Sequence, residues 1–365
     1  MTRPTRRIIF FGFIAIFLIV TPGVLFYASG YSFDWESKQL IKTGSFYFQS
    51  LPEGAKVMIN GKLTDTTPSY IGRLIPGTYQ IRISKDGFSS WQKKLNIQEQ
   101  LATEARNIFL IPQKPQIQSL AQNVTSTKEY FFTQQQKDAQ KQAALTLSLT
   151  LKDILSFVVY QNNIYYLQKS NLILYQTDIF GNAKEQISLQ PLPEGGKSDS
   201  GQQKKYQIVI SPEQTAVFEP GGKLYLLDKQ TRIFNLLADG IRGMEFSPDN
   251  EKALYWTDHE IWVLWLKEVW AQPYRKAGDK ELITRYADKI IQALWLAKTN
   301  EHIIYSVAGA NGEAQIKITE IDGRDQRNTF DIYSAKNPEI YWNGNDDLLY
   351  ILTDGKLSSV DLSKA

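Results

Sequence analysis

The chain contains two histidines, His259 in Thr257-Asp258-His259-Glu260 and His302 in Thr299-Asn300-Glu301-His302. Imidazole and carboxylate oxygens together are what a hydrolytic zinc site needs. These two histidines lack metal-ligand spacing, and no His-Glu-x-x-His run occurs. Both read as solvated residues of polar turns. Asp249, Asp346 and Asp347 offer hard oxygens to calcium, but no Asp-x-Asp-x-Asp-Gly loop frames them, so they read as turn aspartates. Gly196-Lys197-Ser198 ends like a phosphate-binding loop, yet the glycine required five positions earlier is Pro191. The stretch reads instead as a flexible loop. There is no Gly-x-Ser-x-Gly elbow and no cysteine. No catalytic, metal or cofactor site is expected.

Aromatic residues are the other candidates. Trp256, Trp262 and Trp265 fall in apolar strands and read as core. Trp270 falls in Lys-Glu-Val-Trp-Ala-Gln-Pro-Tyr-Arg-Lys-Ala-Gly-Asp-Lys, residues 267–280, between two strand patterns. A hairpin normally needs two to five residues there. Pro273 and Gly278 break any extension of the ladder. Trp270, Tyr274, Arg275 and Lys276 therefore form the candidate partner-binding surface, since Trp, Tyr and Arg are enriched at interface hot spots. The bland alternative is that Trp270 folds back onto neighbouring structure and the basic pair is simply solvated.

These residues need elements to hold them. Arg3, Arg6 and Arg7 precede an uncharged stretch, Ile8 to Ala28, and Asp34 and Glu36 are the first charges beyond it. At about 1.5 Å per helical residue the stretch matches a hydrocarbon core of about 30 Å. The positive-inside rule places the arginines in the cytoplasm and the bulk of the chain outside. Residues 1–30 read as a cytoplasmic tail and a single-pass membrane anchor. A cleaved signal peptide ending near Ala28-Ser29-Gly30 is the competing reading, and either one exports the remainder.

Next comes Leu51 to Phe88, punctuated by Asn60-Gly61, Thr67-Pro68, Pro76-Gly77 and Asp86-Gly87. Asn-Gly is the strongest short hairpin signal, because a type I′ turn needs φ > 0 at both central residues. Tyr79, Ile81 and Ile83 alternate with Gln80, Arg82 and Ser84, the period of a strand with one dry face. With Gly44 to Ser50 before and Arg106 to Pro112 after, residues 44–112 read as a compact antiparallel sandwich. The order Pro52-Glu53-Gly54-Ala55, Val-x-Ile-Asn-Gly, Thr-Pro, Pro-Gly-x-Tyr-x-Ile, Lys-x-Gly-Phe and Trp resembles a PEGA domain. Phe88 stands where that family more often has Tyr. The resemblance implies a spacer or binding module of cell-surface and envelope proteins, without chemistry of its own. The tetrapeptide itself reads as a turn, with a direct ligand role as the alternative.

From residue 113 the texture changes. The residues around 112–126 read as a linker, Asn123-Val124-Thr125 is a chance sequon, and the polar tract 133–142 reads as a hairpin tip or insertion. Five loose repeats then start near Ile154, Tyr206, Ile241, Ile290 and Asn337. Their anchors Ile210, Phe246, Trp295 and Trp342 recur every 36 to 49 residues. That period marks β-propeller blades. Ser247-Pro248-Asp249-Asn250 resembles the turn of TolB-type and WD-like propellers. Residues 117–150 supply either a sixth blade or strands that close the ring. The domains are thus 1–30, 44–112 and 113–365, in an all-β protein with a degenerate propeller of about five or six blades.

Apolar residues at 42% and charged ones at 22% are ordinary for globular chains, and a net charge of +3 does not argue for nucleic acid. The reading is a non-catalytic binding or scaffolding protein of the cell envelope, meeting an envelope protein or a polysaccharide. The alternatives are an exported propeller hydrolase or lyase with carboxylates converging at the central channel, and a purely structural spacer.

Overall fold

The computed structural model describes residues 3–35, 37–151, 153–193, 204–309 and 312–364. Gly196-Lys197-Ser198 lies outside the described residues. Two compact units emerge, residues 1–114 with 324–328, and residues 115–323 with 329–364.

In the first unit, α1 (Arg3–Ala28) carries a 25-residue span, Pro4–Ala28, of mean hydropathy 2.7 with none of it buried. A helix apolar all round and covered by nothing suits lipid. Its length and composition fit a membrane anchor or a signal sequence. The hairpin β1 (Tyr31–Asp34) and β2 (Gln39–Lys42) follows at once. Then come β3 (Gly44–Leu51), β4 (Lys56–Ile59), β5 (Lys62–Thr66), β6 (Ser69–Leu74), β7 (Gly77–Ser84), β8 (Trp91–Ile97) and β9 (Ala102–Phe109). They make two sheets, β6-β3-β9 and β5-β4-β7-β8. Phe46 and Phe48 of the first sheet meet Val57, Ile81, Ile83, Trp91 and Leu95 of the second in one core.

The turns follow the residue chemistry. Asn60 (φ 49°) and Gly61 (φ 79°) both take positive φ between β4 and β5. Gln80 N donates to Asn60 Oδ1 at 2.9 Å, tying the turn to β7. Gly54 has φ 74°, and Ala55 is fully buried. Thr67 Oγ1 accepts from Ala55 N at 3.0 Å and shares a 2.6 Å hydrogen bond with Ser50 Oγ. The Pro52-Glu53-Gly54-Ala55 segment is thus built as a turn. One expectation needs correction: the sandwich is not wholly antiparallel, because β9 runs parallel to β3. The chain crosses from one sheet to the other between them, and such a crossover lets two strands point the same way.

The second unit opens with β10 (Ile117–Ala121), α2 (Thr127–Tyr130) and α3 (Gln134–Leu149). The tract expected as a hairpin tip or insertion is the helix α3, started by a capping box between Thr133 and Gln136. Ala139 and Ala143 are buried along it, and Ala143 packs with Ile164 and Tyr166. Its alanines and glutamines favour helix, and the Gln-rich composition had hidden the pattern.

Five four-stranded sheets follow. Sheet I holds β11 to β14 (Ile154–Tyr160, Asn163–Gln168, Leu174–Asp178, Glu185–Gln186). Sheet II holds β15 to β18 (Gln207–Ile210, Thr215–Phe218, Gly222–Leu227, Phe234–Ile241). Sheet III holds β19 to β22 (Gly243–Phe246, Lys252–Trp256, Glu260–Trp265, Lys280–Arg285). Sheet IV holds β23 to β26 (Ile290–Trp295, His302–Ala308, Glu313–Glu320, Thr329–Lys336). Sheet V holds β27 to β29 (Glu339–Asn343, Leu348–Thr353, Lys356–Val360), with β10 as its fourth strand beside β29.

Sheets I to IV are meanders and sheet V is a three-strand meander completed by β10, and the first strands of successive sheets, β11, β15, β19, β23 and β27, are neighbours in turn. This is propeller-like order. No sixth sheet forms among the described residues. Residues 117–150 give one strand to sheet V and two helices, with α2 against β27 and β28 and α3 against β11. Among the described residues no strand pairing joins one of these sheets to another, sheet V to sheet I included. Sheet stacking leaves β20 buried at all five positions, Lys252 included, and its other four residues are apolar as burial on both faces requires.

Candidate functional site

The first strands of the sheets are cross-tied by side chains reaching the backbone of the next sheet. Ser156 Oγ donates to Tyr206 O at 2.7 Å. Glu245 Oε2 accepts from Trp295 N at 3.0 Å. Gln292 Nε2 donates to Ile340 O at 2.7 Å, and Gln292 Oε1 accepts from Ile340 N at 2.9 Å. Glu339 Oε1 accepts from Thr127 N at 2.9 Å and from the Ser126 and Thr127 hydroxyls, fixing α2.

Among these groups Glu245 is the most chemically poised. Desolvation pushes its carboxyl up to about 7, against the Trp295 N–H and the positive charge of Lys128, which both pull it down. Its side chain still reaches solvent, which moderates the effect. A cleft of about 780 Å³ lies by α2, lined among others by Gln122, Lys128, Glu129, Tyr130 and Gln140. Its walls mix polar side chains with Val124 and Phe132, and Glu129 is the single carboxylate among the lining residues.

The loop between β21 and β22 holds the four candidate partner-binding residues, and the structure divides them. Trp270 is 78% exposed and Tyr274 42%, with ring centroids 5.5 Å apart. Trp270 does not fold back into a core. Val269 and Arg275 pair as an isolated bridge that closes the loop beneath these rings. Tyr274 OH donates to Glu268. Arg275 is turned inward: its guanidinium lies 4.9 Å from the centre of the Trp265 ring and pairs with Glu281 at 2.5 Å. It braces the loop. Lys276 is exposed, and its backbone N donates to Asp279 Oδ2 at 2.8 Å.

The other chemistry-bearing residues have the following surroundings. His259 is exposed in its turn. His302, expected in a solvated turn, is instead the first residue of β24, buried, with Nδ1 3.0 Å from Thr299 Oγ1. Stacking of sheets covers it, which no local pattern announces. Asp249 accepts from Ser247 Oγ and Glu251 N, and binds Lys252 Nζ at 3.3 Å. Asp346 accepts from Tyr350 OH at 2.6 Å, and Asp347 pairs with Lys298 at 3.2 Å. No group of three metal-ligating side chains occurs among the described residues.

Two buried lysines escaped the sequence reading. Burial opposes the charge on Lys252, but Glu301 and Asp249 outweigh it and hold its pKa above the ordinary value. Lys93 sits on the inward face of β8 and donates to Arg324 O at 2.8 Å and Gln326 O at 3.2 Å. Lys93 breaks an otherwise apolar alternation, Trp91-x-Lys93-x-Leu95-x-Ile97, and that was the available signal.

Comparison with known proteins adds the following. Residues 43–108 match the PEGA domain model. No curated protein matches the chain. Among solved structures, the Cps50 (Swd1) β-propeller domain of Myceliophteria thermophila is 16% identical, covering 55% of this chain and 67% of its own, with a TM-score of 0.36. A protein from Lactobacillus plantarum is 11% identical, covering 88% and 83%, with a TM-score of 0.34. The tricorn protease is 14% identical, covering 74% of this chain but 23% of its own, with a TM-score of 0.36. The propeller-like reading rests on the sheet order described above.

Proposed function

We propose that this chain is a membrane-anchored, extracytoplasmic binding or scaffolding protein of the cell envelope, and that the loop at 266–279 meets its partner. Arg3, Arg6 and Arg7 lie on the cytoplasmic side of α1 in this reading. The observation that carries it is the Trp270 and Tyr274 pair, two large rings held out in solvent on a loop closed by the Val269–Arg275 bridge. Exposed aromatics on a braced loop offer contact area at little conformational cost. Arg275 is committed to Glu281, so Lys276 alone offers charge to an anionic polysaccharide. That favours a protein partner. Recovery of partners from native envelopes by the Trp270→Ala/Tyr274→Ala variant tests this. Partners should be lost while unfolding shifts by no more than about 0.5 kcal/mol, as for surface substitutions. Unchanged recovery would remove the loop from consideration.

An exported hydrolase or lyase has one observation in its favour, the poised Glu245 carboxyl. Acid–base hydrolysis usually needs a second group, and Glu339, on the first strand of sheet V two sheets along from Glu245, is occupied by α2. Activity screens comparing the natural chain with Glu245→Gln would decide for this reading if any turnover depended on Glu245.

A further inference from the structure

The hairpin that follows α1 exposes an unusual run of apolar side chains. Phe33 is 41% exposed, Trp35 83% and Leu40 52%, with the Phe33 and Trp35 rings 4.9 Å apart. On a soluble surface such a cluster has no reason to persist. Its position supplies one. The uncharged part of α1, Ile8 to Ala28, has 21 residues, about 32 Å at 1.5 Å each, which matches a hydrocarbon core of about 30 Å. With the arginines at one face of the bilayer, Ala28 ends at the headgroup boundary of the other.

That end is tied to the folded module. The Phe26 ring meets Tyr31 edge-on at 5.5 Å. The Arg73 guanidinium lies 3.3 Å from the centre of the Tyr27 ring, and Arg73 Nη2 donates to Tyr27 O at 3.1 Å. Thr43 N and Oγ1 both donate to Gly30 O, at 2.9 and 2.8 Å. A four-residue strand reaches about 13 Å, so the hairpin cannot leave the neighbourhood of the span. Tyr70, 68% exposed, borders a cleft of about 650 Å³ that also touches Gly30 and Arg73.

We propose that this hairpin is a membrane-interface collar: Phe33, Trp35 and Leu40 insert at the headgroup and acyl boundary, and Tyr27 and Arg73 sit at headgroup level beside them. Aromatic rings with one polar edge favour that layer, and the apolar faces gain burial there. The hairpin, residues 31–42, carries two acidic and two basic residues, so its own charge does not repel an anionic surface. The collar fixes the PEGA module against the bilayer instead of leaving it to swing on a tether. This rests on α1 being an uncleaved anchor.

The test uses the full chain reconstituted into phosphatidylcholine and phosphatidylglycerol vesicles whose acyl chains carry bromine. No tryptophan lies within α1, and Trp91 in the same unit is buried. The collar predicts acyl-bromine quenching that is lost in Trp35→Phe and weakened, with a red-shifted emission, in Phe33→Ser/Leu40→Ser. Quenching that is absent, or unchanged by Trp35→Phe, overturns it. Flotation after an alkaline wash reads the anchor separately: a chain that floats without Trp35 quenching has an anchor and no collar, whereas one that fails to float has lost the anchor reading itself. The chain has no cysteine, so Trp35→Cys gives a single thiol. Disulfide-linked dimers of that variant, with no quenching in the natural chain, would mean that a second copy covers the hairpin.

Discussion

The sandwich of the first unit and the five sheets of the second are both well-buried β structures, but they are held in register differently. In the sandwich, tight turns at Asn60-Gly61 and at Gly54 set each strand's offset, and buried hydroxyls of Ser50 and Thr67 lock the turn ends. In the second unit, first strands are joined to the next sheet by Ser156, Glu245 and Gln292 through backbone bonds. Local turn chemistry leaves a motif in the sequence. Ties between sheets need only one polar side chain of suitable length, so sheets I, III and IV use Ser, Glu and Gln and the repeat looks degenerate.

The largest effects should come from the two cores. Trp91 is 1% exposed in the sandwich and Trp295 2% exposed between sheets III and IV. Alanine at either should cost about 3–5 kcal/mol. Denaturant unfolding of both variants reads this directly. A loss below about 1 kcal/mol for Trp295→Ala would mean that the stacked sheets pack more loosely than the sandwich, and the equivalence of the cores would fail.

Turns should give a middle-sized effect. Gly61 (φ 79°) ends the β4–β5 turn, and Gly355 (φ 75°), after Asp354 (φ 48°), ends the β28–β29 turn. Valine at either is strained by about 1–3 kcal/mol. Comparable thermal shifts would show that sheet V also relies on local turn chemistry. A silent Gly355→Val would confine that reliance to the sandwich.

The smallest effect is expected at Glu245, and it depends on pH. Its folded-state carboxyl is raised from 4.5 to about 7. The folded chain then binds the proton more tightly than the unfolded chain, so this group favours folding fully below about pH 4.5 and loses that contribution as pH rises through about 7. Glu245→Gln keeps an oxygen acceptor for Trp295 N and never ionises. Its melting temperature should match the natural chain near pH 5 and exceed it near pH 8. Equal shifts at both pH values would show that the tie, not the charge, is what the substitution alters.

Turn residues and strand alternation were legible in the sequence because φ > 0 and a two-residue period are local demands. They placed the Asn60-Gly61 turn and the inward face of β7, and the loose repeat put the starts of all five sheets within two residues. The long loop after β21 was legible for the same reason, since Pro273 and Gly278 interrupt the ladder. The polar α3 was missed because its helical signal, buried alanines among glutamines, is weak until Ile164 and Tyr166 cover it.

The residues themselves determined a helix with an uncharged stretch of membrane length, a PEGA sandwich and a series of sheets, since each follows from interactions between near neighbours in the chain. Only the tertiary structure decided which side chains share an environment. It turned Arg275 inward onto Trp265 and Glu281 while leaving Trp270 and Tyr274 in solvent, buried His302 and Lys252, and crowded Glu245, whose side chain still reaches solvent, until its carboxyl is raised to about 7. Desolvation and burial depend on atoms far apart in sequence, and no local pattern encodes them.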